Sequence, residues 1–195
     1  MNRSLTRLVI FDMDGTLTRP TLDFPRIRAE IGLPEPLLES MLLLPPGPER
    51  ERAFRILERF EEEAAEISEL NDDVPEILAF LASRGTPAAL VTRNSRRSTE
   101  VVLRKHSLAF ASVVTREDAP AKPRPEPLWL ICRSLGVEPA GALMVGDFRL
   151  DVLAGRNAGT RTALLTNGRA ATFLPEAPPD HIVARLGELR ALLAE

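Results

Sequence analysis

"LVIFDMDGTL", residues 8–17, is a short apolar run that meets two carboxylates one position apart, followed by Gly15 and Thr16. Leu8 to Phe11 form an unbroken apolar segment, the pattern of a strand covered on both faces. Asp12 and Asp14 stand at its end. Neighbouring carboxylates repel and burial adds a desolvation cost, so both stay ionised only beside a cation or strong donors. A solvated turn is an alternative, because Asp and Gly are ordinary turn formers. A calcium-binding EF-hand requires Gly at its sixth position; Leu17 stands there, which removes that reading.

The same kind of apolar run recurs along the chain. "RLVIF" (7–11), "PAALVT" (87–92), "SVVT" (112–115), "ALMVG" (142–146), "RTALLT" (161–166) and "HIVA" (181–184) are strand candidates. Helical patterns separate them. "DDVPEILAFLASRG" has Asp72 or Asp73 to cap it, Pro75 for its first turn and Gly85 for its C-terminal left-handed position. "SRRSTEVVLRKH" opens at Ser95, "PEPLWLICRSLG" ends at Gly136, "DVLAGRNAG" runs from Asp151 to Gly159, and "RLGELRALLAE" closes the chain. Strand–helix alternation predicts an α/β fold with a doubly wound, Rossmann-like parallel sheet.

Residues 18–72 interrupt that rhythm. "FPRIRAEIGLP" and "EPLLESMLLL" read as short helices and "LPPGPE" as a turn. "RERAFRILERFEEEAAEISEL" reads as one long amphipathic helix, with Phe54, Leu57, Phe60, Ala64 and Ile67 along one face. The expected organisation is a core of residues 1–17 and 73–195 with a helical insertion at 18–72.

Composition narrows the function classes. At 195 residues, 44% hydrophobic and 27% charged, the chain has ordinary globular proportions. A net charge of −3 with interspersed signs offers no case for nucleic acid, and no basic amphipathic stretch suggests a membrane surface. No apolar run approaches the roughly 20 residues of a membrane-spanning helix. The N-terminal apolar stretch is too short for a signal-peptide core, so the expected location is cytoplasmic. Cys132 is the single cysteine, which excludes an internal disulfide and reads as a buried structural thiol. His106 and His181 read as structural or exposed. No dinucleotide-binding GxGxxG loop or P-loop is present. Oligomeric state is not encoded in any recognisable pattern.

In an open parallel sheet, ligands bind at the carboxyl ends of the strands. After the first strand come Asp12 and Asp14; after the second, Thr92, Arg93 and Asn94; after the third, a loop with Lys122; after the fourth, Asp147 and Asp151. Each group has an ordinary structural reading as a cap, a strand end or a surface lysine. Four loops delivering them to one edge argue for a site. Clustered carboxylate oxygens suit Mg²⁺, and Thr92, Lys122 and loop amides suit a phosphate.

Together, "FDMDGTLT", "LVTRN", "KPRPEP" and "VGDFRLDVLAGRNAG" resemble, in order, the four motifs of the haloacid dehalogenase superfamily. The insertion lies where that family carries its small α-helical cap. The resemblance is to the phosphoglycolate phosphatase-like branch and implies a Mg²⁺-dependent phosphatase acting on a small phosphorylated metabolite. It implies that Asp12 is the nucleophile that forms an aspartyl-phosphate. Asp14 would be the general acid and base. The metal would be held by Asp12, the Asp14 backbone carbonyl and Asp147, with Asp151 orienting the metal shell. Thr92 and Lys122, with Arg93 as a candidate, would bind phosphate. An acid at Asp14 separates this pattern from the dehalogenases proper, whose halide leaving group needs no proton. Two positions depart from common forms: Phe148 stands where many relatives carry Ser, and Arg93 where many carry Asn. Alternatives are a phosphomutase on the same scaffold, a phospho-accepting domain like a response-regulator receiver, and a non-catalytic binding protein. Arg26, Arg28 and Arg50 are candidates for a substrate anion or are solvated charges.

Overall fold

Along the first strand, β1 (Leu8–Phe11), alternate side chains leave on opposite faces, and both faces are covered. The computed structural model describes residues 5–194. Among these residues the other strands are β2 (Ala88–Val91), β3 (Ser112–Val114), β4 (Ala142–Gly146), β5 (Arg161–Leu165) and β6 (His181–Val183). The helices are α1 (Phe24–Ile31), α2 (Leu37–Leu43), α3 (Pro48–Ile67), α4 (Val74–Ser83), α5 (Arg96–Lys105), α6 (Glu126–Ser134), α7 (Arg149–Ala158) and α8 (Leu189–Leu193).

The six strands form one parallel sheet in the order β3-β2-β1-β4-β5-β6. This is the doubly wound, Rossmann-like α/β fold expected from the strand–helix alternation. Val9 and Phe11 pack with Ile77 and Leu81 of α4 and Leu189 of α8. Leu8 and Ile10 pack with Leu128 and Ile131 of α6 and Ala154 of α7. Two covered faces explain why the central strands are apolar at every position rather than at every second one. The direction of strand addition reverses at β1, which has β2 on one side and β4 on the other. The crevice for a ligand therefore opens at the carboxyl ends of these three strands.

Helices α1 to α3 follow β1 and share an apolar cluster of their own, built on Ile27, Ile31, Leu38, Met41, Leu57 and Phe60. The far end of α3 differs. Ala65 belongs to the cluster beneath the sheet. Ile67, expected on the buried face, is 67% exposed, because the helix changes packing partners along its length and its last turn leaves the apolar stripe.

Helix ends hold three more corrections. The seventh helix begins at Arg149, so Asp151 lies inside its first turn, and the carboxylate accepts from the Phe148 amide at 3.1 Å. Asp73 occupies the cap position of α4 but makes no side-chain capping bond. Its carboxylate instead accepts from Gly187 N at 3.2 Å, tying α4 to the C-terminal segment. The closing helix is reduced to Leu189–Leu193, preceded by a 3₁₀ turn at Leu186–Glu188. No helix among the described residues is long and apolar enough to cross a membrane.

Candidate active site

Asp12 lies one residue past β1, and its amide donates to Val145 O of β4 at 2.9 Å, so the strand pairing carries it into the crevice. Lys122, on the loop between β3 and α6, reaches the same point. Its Nζ donates to Asp12 Oδ1 at 2.5 Å, to Asp151 Oδ1 at 2.6 Å and, more weakly, to Val91 O at 3.3 Å. The lysine is 2% exposed and Asp151 3%, so water contributes little to holding this charge. Thr16 Oγ1 is 3.4 Å from the second oxygen of Asp12.

Asp147 completes the group. Asp12, Asp147 and Asp151 each bring a carboxylate oxygen within 4.8 Å of the others. Asp147 presses against the turn that follows Asp14: a Cβ built on Gly15 would lie 2.1 Å from its Oδ2. With φ at +82°, Gly15 is also in the left-handed region, so two separate reasons require glycine there. Asn71 Nδ2 donates to the carbonyls of Gly15 and Thr16 at 2.9 Å, and Asn167 Nδ2 to Gly15 O at 2.7 Å. These two amides hold the turn that carries Asp14. Sequence reading passed over them because isolated Asn residues carry no local signal of the loop they will meet.

Charge decides what the cluster can accept. Three carboxylates face one ammonium, leaving two negative charges uncompensated. Burial, followed by repulsion from Asp151, pushes the Asp147 carboxyl up to about 7. Burial also raises Asp12 well above its ordinary value, against the pull of Lys122 and with added repulsion from Asp151 and Asp147. Lys122 is held above its ordinary value because Asp12 and Asp151 outweigh its burial. A divalent cation with a preference for oxygen would balance this deficit, and the cluster of carboxylate oxygens fits Mg²⁺.

Burial raises Asp14 too, opposed by the Asn94 side chain, the Lys122 charge and Thr18, whose hydroxyl is 3.4 Å from Asp14 Oδ1. Thr92 is buried at the end of β2, and its hydroxyl oxygen accepts from Asn94 N at 3.1 Å, leaving its proton to donate. Arg93 does not turn to the carboxylate cluster. Its guanidinium forks onto Glu39 of α2 at 2.9 and 3.0 Å and also donates to the Lys122 carbonyl. Phe148 is half exposed, with its ring edge-on to Phe173 at 5.9 Å.

The three arginines considered for a substrate anion divide. Arg28 pairs with Glu35, and Arg50 donates to the Met41 and Leu42 carbonyls. Arg26 lies over the Phe60 ring at 5.3 Å. Cys132 is buried in α6. His106 Nε2 lies 2.9 Å from Ser68 Oγ at the end of α3, and His181 sits on the edge strand β6.

Residues 41–165 match the family model of haloacid dehalogenase-like hydrolases. A haloacid dehalogenase-like hydrolase domain-containing protein of Arabidopsis thaliana is 31% identical over 82% of this chain and 71% of its own. An N-acetylmuramic acid 6-phosphate phosphatase of Pseudomonas aeruginosa is 34% identical over 93% of this chain and 89% of its own. A crystal structure described as a predicted phosphoglycolate phosphatase from Haemophilus somnus covers 95% of this chain and 97% of its own, with a TM-score of 0.73 and 24% identity, a likeness of fold. The chain belongs to the haloacid dehalogenase-like hydrolase family. It is an enzyme of that family's phosphatase kind, a phosphoric monoester hydrolase.

Proposed function

We propose that this hydrolase is a Mg²⁺-dependent phosphatase of small phosphomonoesters that works through an aspartyl-phosphate on Asp12, as phosphoglycolate phosphatase-like enzymes do. The observation that carries the reading is the meeting of Asp12, Lys122, Asp147 and Asp151 at the end of the central strand, with Asp14 two residues beyond Asp12. Asp12, the Asp14 backbone carbonyl and Asp147 would hold the metal, with Asp151 behind them. Bound there, Mg²⁺ would screen the repulsion between an anionic nucleophile and an anionic phosphate.

The chain's own groups supply the rest. The Asp12 carboxylate attacks phosphorus, and the bond to the leaving oxygen breaks. Asp14 gives that oxygen its proton; burial, which raises the Asp14 carboxyl, favours the protonated form this step needs. The Asp14 carboxylate then takes a proton from water as the water attacks the same phosphorus, returning Asp12 and releasing inorganic phosphate. Lys122 and the Thr92 hydroxyl stabilise charge on the phosphoryl oxygens. We further propose that residues 18–72 act as a cap on the core of residues 1–17 and 73–195, selecting the leaving group and shielding the site from bulk water.

Hydrolysis of p-nitrophenyl phosphate, 2-phosphoglycolate and N-acetylmuramic acid 6-phosphate, with and without Mg²⁺, tests the reading. Asp12→Asn is expected to abolish turnover, and Asp14→Asn to lower kcat by about 10² to 10⁴ while the fold is kept. If Asp14→Asn keeps more than about a tenth of wild-type activity, the acid–base assignment is wrong.

A further inference from the structure

Arg93 directly follows Thr92, yet its charge is spent elsewhere. Nη1 donates to Oε1 and Nη2 to Oε2 of Glu39 on α2, and Nη1 also donates to the backbone carbonyl of Lys122. A forked, two-bond ion pair fixes direction as well as distance. The Arg93 side chain is 23% exposed and Glu39 38%, so the pair is partly shielded from solvent. Burial alone would raise the Glu39 carboxyl, but the Arg93 bonds and charge hold it below its ordinary value. The carbonyl of Arg93 accepts from Arg116 Nη1 at 3.3 Å. Arg116 in turn pairs with Glu61 of α3, whose other oxygen accepts from Ser95 N at 3.0 Å. Two helices of the insertion thus grip both flanks of the segment 93–95, and one grip extends to the residue whose ammonium orients Asp12.

We propose that Arg93 is a positioning residue rather than a phosphate ligand. Held by Glu39, it fixes the Lys122 backbone, so the seating of α2 on the core sets where the Lys122 ammonium stands against Asp12. The catalytic consequence rests on the phosphatase reading above; the mechanical tie does not.

Glu39→Ala tests it, because Glu39 touches no reacting group. Glu30→Ala is the control: it removes the pair with Arg59 inside the insertion, 2.7 Å long, and leaves the core loops alone. In Glu39→Ala, the backbone amide NMR signals of Ala121, Lys122 and Arg124 are expected to shift or broaden. Turnover should fall about tenfold, the scale of a sub-ångström misplacement, with KM little changed. Arg93→Lys, which keeps the charge but loses the fork, should fall between wild type and Glu39→Ala. Glu30→Ala should change neither readout. Unmoved signals at 121–124 together with wild-type kcat in Glu39→Ala would overturn the proposal. So would a rise in KM at constant kcat, which would make Arg93 a substrate ligand. Absence of wild-type turnover on every phosphoester would sink the phosphatase reading, and the NMR signals would still decide the tie.

Discussion

At the scale of single residues, the two aspartates at the end of β1 are tolerable because of what surrounds them. Asp12 has Lys122 at 2.5 Å, and Lys122 has Asp151 at 2.6 Å. Burial, with repulsion from Asp151, raises the Asp147 carboxyl to about 7, and the proposed Mg²⁺ would lower both costs. Asp12, Asp14, Thr92, Lys122, Asp147 and Asp151 were legible as site candidates because each follows a readable strand. Arg93 was legible as a charge near the site, but nothing within a few residues of it announced Glu39. Cys132 offers a test at this scale. Burial, aided by the Glu138 charge, pushes its thiol up to about 11. Since the thiolate is the reactive form, iodoacetamide at pH 8 should alkylate the native protein more than about a hundredfold slower than the urea-unfolded chain. Equal rates would show the thiol to be open and ionisable.

At the scale of elements, the strand ends aim the site and glycines set how closely the helices approach. The seventh helix lies against β4 and β5 at Gly155. A Cβ there would meet Thr162 Cγ2 at 2.5 Å, Thr160 Oγ1 at 3.0 Å and Met144 Cβ at 3.1 Å. The helix would have to lift from the sheet. Gly155→Ala is therefore expected to destabilise the protein by about 1–3 kcal/mol in urea unfolding, although alanine ordinarily favours a helix. Any gain in stability would mean that α7 has room to move. Because α7 also carries Asp151, the variant reports on how firmly that carboxylate is presented to Lys122.

At the scale of the whole molecule, charged contacts join helices α2 and α3 to the loops that follow β2 and β3. Arg116 and Glu61 are buried, at 6% and 2% side-chain exposure. Burial raises the Glu61 carboxyl against the pull of Arg116. Removing one partner strands the other in a place without water. Arg116→Met is expected to cost about 3–5 kcal/mol in urea unfolding, and Arg116→Met with Glu61→Met to recover much of that. If the double variant is as unstable as the single one, the loss comes from packing rather than from a stranded charge. The Glu39–Arg93 pair predicts a pH dependence. The carboxyl of Glu39 sits below its ordinary 4.5 in the folded protein. Its contribution is therefore complete above that value and drains away as pH falls through the lower, folded one. The stability difference between wild type and Glu39→Gln should stay constant from pH 7 to 5 and narrow toward pH 3.5. A difference that widens in acid would reverse the sign.

The six parallel strands, the positions of most helices and the carboxylates at the strand ends were readable from the chain alone. Strand apolarity, helix caps and glycine stops act over a few residues, and a doubly wound sheet converts strand ends into one edge. The supports of that edge were not readable. Asn71 and Asn167 reach Gly15 across 56 and 152 residues, Arg93 reaches Glu39 across 54, and Arg116 reaches Glu61 across 55. Likewise, the exposure of Ile67 follows from which neighbour α3 meets in its last turns. A side chain's partner at such separations depends on how helices and loops pack in space, and that packing leaves no periodic trace in the residues nearby.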